Sequence, residues 1–455
     1  MERGNDAPAG RATDTDVLIV GAGPSGTAAG ITLAEAGFDV TIVDKALFPR
    51  DKCCGDGLTA GALRLLEQLG LQPGDVPSWV TIDAAWVRSP SGHEVRFPMP
   101  SQGIFAAVAP RRELDEALVQ RARAVGVKVH EGHAFHGFAP AGGSAGTGST
   151  NSTGSTNSTG STNSTDSTNS TDSTGSTDSP DGSVSVVVSG LGIVTARYVI
   201  AADGMWSPVR KALGIAEPGY LGEWHAFRQY FSNVTGPAAE RLYVWFEEDL
   251  LPGYAWSFPL PGGRANVGFG IARGHGMSTQ SMKTTWPDLL KRPHIAEALG
   301  PGAIGEDRHL AWPIPARVDK APLSKDRVLL VGDAACVTDP MTGEGIGQAL
   351  LTGVLAARSI ITTTPSRPSA VRSAYEKAVR QHLVADHRMS VVLSALLRKP
   401  LLARGAIKVA GVSSWTRRNF GRWLFEDEPR AIALTPRRWH RKFLSRAGAF
   451  AGRQP

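Results

Sequence analysis

The sequence predicts an α/β fold in three parts: a domain opened by a βαβ unit, a second domain built on a mixed sheet, and a helical C-terminal region. Three observations predict it. A glycine-rich turn, GAGPSG, joins an apolar strand to a helix near the N-terminus. Aromatic residues in strand-like alternation crowd residues 220 to 271, and beyond residue 364 the chain becomes Pro-broken, then helical and basic. With 455 residues, 42% hydrophobic and 20% charged, the chain can bury more than one core.

The elements follow in order. Residues 16 to 43 read as strand (DVLIV), turn, helix (TAAGITLAEAG) and strand (DVTIVD). A helix over about Arg112 to Gly126 puts Leu114, Leu118, Ala122 and Val125 on one face, and the strand VKVHEG follows. Residues 149 to 179 repeat Ser-Thr after Asn, Gly or Asp. Such side chains bury too little to offset ordering entropy, so a flexible extension of a hairpin tip is expected between VKVHEGHAFHGF and VSVVVSG. The strands LYVWF and YAWSF alternate large and small, RVLLVGD is a further strand, and a long helix runs from about Gly345 to Ile361.

Composition excludes several classes. Three cysteines and no CxxC pair leave neither a disulfide framework nor a metal site, so a reducing, cytoplasmic setting is expected. The first residues lack an apolar export segment, and no stretch is long and apolar enough to span a bilayer. Net charge is +6, but residues 396 to 455 carry 14 Lys/Arg against three acids, so the tail holds +11 and the rest −5. Nucleic acid is not an expected partner. Arg outnumbers Lys threefold, which suggests a GC-rich bacterial source.

Gly21, Gly23 and Gly26, with Pro24 and Ser25 between them, form GxGxxG at a helix start, where backbone amides can approach a pyrophosphate. The first domain is therefore Rossmann-like. Asp44 ends the second strand, 18 residues past Gly26 and followed by Lys45, placed to accept from a ribose. A second strand ends in Gly332-Asp333. Beyond Pro340, the turn Gly343-Glu344-Gly345, with Ile346 after it, opens a helix that can stabilise negative charge on a reduced flavin ring. Between these lies AADGMWSPVR, with Asp203, Ser207 and Arg210. Together the sites fit FAD, whose length exceeds one βαβ unit.

GxGxxG, DGxxSxxR and GD…P…GEG in this order resemble the flavoprotein fold of the aromatic-ring hydroxylases. Within that group, Pro49, Arg50, Lys52, Cys54, Gly55, Asp56, Gly57 and Leu58 (P-R-x-K-x-C-G-D-G-L) resemble the geranylgeranyl reductase family. LPGYAWSFP, with Tyr254, Trp256 and Phe258, is similar to that family's P-x-x-Y-x-W-x-F-P signature. The resemblance covers about Asp14 to Ile361 without the Ser/Thr insert. Family members often have Pro at the place of Cys53, and the Pro252 to Tyr254 spacing is one residue short, which leaves cavity length and entrance open.

The resemblance implies FAD-dependent saturation of double bonds in a polyprenyl chain. It places the cysteine loop over the flavin, with Cys54 near the reacting carbon, Arg50 and Lys52 near cofactor phosphates or an electron donor, and Arg111 among the cofactor-binding residues. Cys54, Tyr254 and Trp256 are the candidate catalytic residues, with Cys54, Tyr254 or a held water as proton source. A small buried cysteine and plain core aromatics are the alternative readings. The expected domain boundaries are 14–80, 105–215 (insert 140–182) and 306–364 for FAD binding, 81–104 and 216–305 for the substrate domain, and 365–455 for the basic helical region.

No second GxGxxG appears, so NAD(P)H or a small redox protein is the expected electron donor. Trp415, Trp423 and Trp439 interleaved with arginines suit an anionic membrane surface at its inner face, or else a solvated helical face. Truncation after Pro400 is expected to leave flavin binding intact. The alternative functions are a monooxygenase or halogenase of the same fold, or a non-catalytic flavin-binding protein.

Overall fold

The computed structural model describes residues 13–139, 182–274, 276–363, 367–439 and 445–452. The Ser/Thr insert, apart from residue 182, lies outside them. The first sheet has a parallel centre in the order Val328–Leu330, Gly192–Ala201, Thr13–Val20, Val40–Asp44, Lys128–Glu131. Its central runs, residues 17–20, 40–43, 199–201 and Val328–Leu330, are almost wholly apolar and buried, as helices on both faces require, whereas the edge strand Lys128–Glu131 is only partly covered. The chain runs outward from Thr13–Val20 first to one side and then to the other. This creates a switch point where Val20 pairs with Ala201, and ligands of such sheets bind beyond the strand ends there. The hairpin Phe135–Phe138 and Val184–Val188 flanks the Ser/Thr insert, antiparallel as expected.

The helix Pro24–Glu35 packs on the long helix Ile346–Thr362. The helix at Arg111–Ala124 lies where periodicity placed it. Its buried stripe of Leu114, Leu118 and Ala122 joins the large core, but Val125 caps its end.

The second sheet runs Ile304–Gly305, Trp224–Ser232, Arg264–Ala272, Tyr254–Leu260, Leu242–Trp245, Ala84–Arg88, Glu94–Pro98. Leu310–Ile314 also pairs with Trp224–Ser232, so this sheet extends past the boundary expected at residue 305. One face packs around Phe227, Phe269 and Trp286 in a core of its own. A small sheet of Gly57–Thr59, Ala106–Val108 and Val80–Thr81 anchors the end of the cysteine loop.

Helices Ala385–Leu397, Pro400–Ala410 and Ser414–Leu424 follow. Ile407, Ala410, Phe420 and Leu424 pack against Val95 and Phe97 of the second sheet. The basic region is therefore part of the folded body. No described helix is long and apolar enough to cross a membrane.

Candidate active site

A cavity of about 980 Å³ starts at the glycine turn, passes beneath the cysteine loop and ends among the C-terminal helices. At the nucleotide end Gly21 has φ +108°, and a Cβ there would lie 2.3 Å from the Ala202 carbonyl oxygen, so only glycine fits this crossing. Gly23 caps the helix Pro24–Glu35 without any side-chain hydrogen bond, so no side chain covers the helix start, where Pro24 and Ser25 line the cavity. Asp44 and Lys45 line it as well. The Asp44 carboxylate accepts from the amides of Ala22 and Ala46, both at 2.8 Å, which sets its direction. Arg50 stands over the turn, 3.5 Å from where a Gly23 Cβ would be, and pairs with Asp115 at 3.2 Å.

Asp203 accepts from the Val209 amide at 2.9 Å through one oxygen, while its other oxygen is buried with no partner. Burial pushes this carboxyl up to about 6. An orphaned acceptor lining a cavity calls for a donor, and a ribityl or ribose hydroxyl is one. Asp333 accepts from Lys52 at 2.8 Å; burial alone would raise it, but Lys52, then Arg111 and Arg210, hold it below the usual carboxylate range. Gly343, Gly345 and Ile346 complete this end. Three expected cofactor residues do not line the cavity. Gly26 sits behind Gly21, Gly332 donates to Thr352 at 3.0 Å, and Pro340 is buried beside the site. Arg210 braces the domain by bonding Met205, Ala334 and Cys336. The open helix start, the glycine crossing and the orphaned Asp203 oxygen together fit FAD.

The cysteine loop is held by a buried polar network. Asp56 is fully buried with φ +63°, and its amide donates to Cys54 Sγ at 3.4 Å. Its carboxylate accepts from Tyr230 Oη at 2.7 Å, from Asn266 Nδ2 at 2.7 Å and from the Arg111 amide at 3.2 Å. Arg111 itself is buried against Asp115. Burial pushes Asp56 up to about 6 against these donors. Asn266 also donates to the Cys54 carbonyl at 2.9 Å and accepts from Trp256 Nε1 at 3.1 Å. Burial, reinforced by Asp56, raises the Cys54 thiol, so it stays protonated at neutral pH. Cys53 donates to the Leu310 carbonyl at 3.5 Å, and burial pushes it up to about 12 despite Arg228. Both cysteines are free. Cys54, Gly55, Asp56 and Gly57 all face the cavity.

Beyond the loop the walls are apolar. Tyr254, Trp256 and Phe258 point to the cavity from one face of their strand, while Ala255, Ser257 and Pro259 take the other. Tyr254 Oη donates to the Thr342 carbonyl, so its proton is already engaged. Trp312 and Ile314 add to the wall.

The far end is built by the C-terminal region, including Leu393, Leu397, Ile407, Phe420 and Trp423. Trp423 thus faces inward, tilted against Phe420 and under Arg430, which corrects its expected place at a lipid surface. Arg430 bonds Glu426 at 3.0 Å and lies 3.3 Å from Asp339. Glu344 and Glu426 are both raised, chiefly by burial, with mutual repulsion adding for Glu344. Asp427 ties Arg64 to Arg422, the latter at 2.5 Å.

Sequence reasoning missed Asn266, Tyr230 as a ligand of Asp56, and the C-terminal wall. Asn266 left one trace: it is a single polar residue inside the buried strand RANVGFGIA.

Residues 14–157 and 154–383 match the family described as FAD binding domain. The menaquinone reductase of Mycolicibacterium smegmatis is 29% identical over 417 residues, covering 85% of this chain and 86% of that protein. The menaquinone reductase of Mycobacterium tuberculosis is 30% identical over 368 residues, covering 75% of each. Digeranylgeranylglycerophospholipid reductase 1 of Methanopyrus kandleri is 31% identical over 349 residues, covering 75% of this chain and 79% of that one. Among solved structures, a geranylgeranyl bacteriochlorophyll reductase-like protein from Thermoplasma acidophilum superposes with TM-score 0.71 at 19% identity, covering 94% of this chain and all of the other. A flavin-dependent halogenase superposes with TM-score 0.62 at 23% identity, over 89% and 68%. These two likenesses concern the fold. The sequence relatives carry the assignment: the chain belongs to the FAD binding domain family and, within it, to the geranylgeranyl reductase family of FAD-dependent oxidoreductases.

Proposed function

We propose that this protein reduces carbon-carbon double bonds in a polyprenyl chain, such as a menaquinone side chain or a lipid-linked geranylgeranyl group. The observation that carries this reading is the apolar continuation of the cavity from Cys54 and Trp256 to the C-terminal helices, a shape suited to a flexible hydrocarbon tail.

An isolated alkene accepts hydride poorly, so one carbon must receive a proton as the other receives the hydride. FAD, once reduced, supplies that hydride. Trp256 and Phe258 keep water from the site and hold the chain in place. Cys54 keeps its proton at neutral pH on the loop above them, whereas the Tyr254 proton is committed to Thr342. The Cys54 thiol, or a water held beside it, is therefore the favoured proton source. Electrons come from NAD(P)H or a small redox protein, and the protein works at the inner face of a membrane in peripheral contact.

The test is anaerobic incubation of the reduced holoenzyme with menaquinone or a geranylgeranylated lipid. A gain of two hydrogens per turnover, seen by mass spectrometry, is expected. An oxygen gain in air, or no hydrogen gain on any prenyl substrate, would overturn the reading.

A further inference from the structure

Exposed apolar side chains are concentrated in one part of the surface. Among the described residues, eight of the fifteen large hydrophobic side chains left exposed lie between Val391 and Trp415. Leu401 (76%), Val412 (75%), Val409 (66%) and Trp415 (66%) are the most open of these. Soluble monomers rarely leave such a cluster to water. The same stretch is one-sided in charge. From His387 to Phe425 there is no Asp or Glu, against eight Lys/Arg. Arg398, Lys399, Lys408 and Arg418 are exposed with no ion pair among the described residues. Exposed apolar groups ringed by unpaired cations match an anionic lipid surface, which offers hydrocarbon at the centre and phosphate at the rim.

Leu396, Leu402 and Ala406 supply the decisive relation. They are exposed to solvent and also line the cavity. Leu402 and Ala406 share a face of helix Pro400–Ala410 one turn apart, and Ile407 beside them reaches the buried wall. The cavity therefore opens at its apolar end inside the exposed cluster.

We infer that helix Pro400–Ala410, the end of helix Ala385–Leu397 and the turn at Val412–Trp415 embed in one leaflet of an anionic bilayer, and that a hydrocarbon chain passes between leaflet and cavity through the opening at Leu396, Leu402 and Ala406. The passage rests on the polyprenyl reading above, whereas the docking does not. No described helix can span, so the attachment is to one face. The chain never crosses water, which removes the cost of exposing its hydrocarbon.

The test uses the holoenzyme with vesicles of phosphatidylglycerol and phosphatidylcholine, without substrate, in a sedimentation assay. The triple variant Leu401→Asp, Val409→Asp, Val412→Asp changes exposed positions outside the cavity, so FAD content and kcat/KM on a short water-soluble prenyl diphosphate should be retained. Vesicle binding should fall at least tenfold, and reduction of vesicle-borne substrate with it. Unchanged vesicle binding would overturn the docking. So would light scattering showing a dimer that the triple variant splits while vesicle binding stays, since a second copy would then cover the face. Leu402→Trp narrows the opening: vesicle binding should stay while reduction of vesicle-borne substrate falls several-fold, and unaltered reduction would remove the passage. Vesicle binding without reduction of any prenyl substrate would uphold the docking and sink the proposed reaction instead.

Discussion

Asn266 donates its side-chain amide to the Cys54 carbonyl at 2.9 Å, which fastens the cysteine loop to the second sheet. The same amide reaches Asp56 at 2.7 Å, and its oxygen takes the Trp256 indole proton. One buried side chain thus fixes the loop, the carboxylate beneath it and an aromatic wall of the cavity. Asn266→Ala removes three hydrogen bonds and strands at least the indole N–H and one Asp56 lone pair. A loss of about 2–4 kcal/mol follows from leaving buried polar groups unpaired. It is read as a lowered melting temperature, together with weaker FAD retention as the loop loosens.

Asp56 gives stability a defined pH dependence. Burial pushes its carboxyl up to about 6, against 3.8 as the ordinary value. Between these values the folded protein holds a proton that the unfolded chain has released. Its stabilising contribution is therefore complete below about pH 4 and is lost as pH rises through 6. Asn tolerates the left-handed backbone of this position and does not titrate. Between pH 4 and 6.5 the wild type should therefore lose up to about 3 kcal/mol relative to Asp56→Asn. Thermal unfolding of both proteins across that range checks this, and parallel curves would contradict it.

The parts of the fold legible in the sequence were those with local signatures. GAGPSG between two apolar runs announces the parallel sheet, because the turn, both strands and Asp44 lie within thirty-odd neighbouring positions. YAWSFP shows by alternation alone which side chains share a face. The cavity's far end has no such signature. Ile407 and Trp423 look like ordinary residues of basic helices, and only long-range packing turns them toward a slot that begins nearly 400 residues earlier at Gly21. Asn266 and Asp56 are likewise joined across a sequence separation of 210 that no periodicity reports.

Truncation after Pro400 tests that packing directly. The sequence-based expectation was that flavin binding survives. Removing residues 401 to 455 deletes Ile407, Phe420 and Trp423 from the cavity wall and Asp427 from Arg64, and exposes Val95 and Phe97. Burying each large apolar side chain contributes about 1.5–3 kcal/mol. The truncated chain should therefore lose most of its cooperative unfolding transition and bind FAD weakly. Intact flavin content with an unchanged melting curve would show that the C-terminal helices are dispensable to the body.

Cavity length should set chain-length preference at Ile407, which is 4% exposed and lies both in the cavity wall and in the apolar cluster with Val95 and Phe97. Ile407→Trp adds bulk at the slot, because Ile407 lines the cavity while Val95 packs in the same apolar cluster behind it. Overpacking of this kind costs about 1–3 kcal/mol, which a chain of this size tolerates. The variant should retain FAD and reduce short prenyl substrates at rates near wild type. Its kcat/KM on a long polyprenyl chain should fall about tenfold, since roughly 1.4 kcal/mol of lost contact suffices for that factor. Equal losses on short and long chains would place the reacting bond, and not the tail, at Ile407, and would reverse the direction in which the substrate lies.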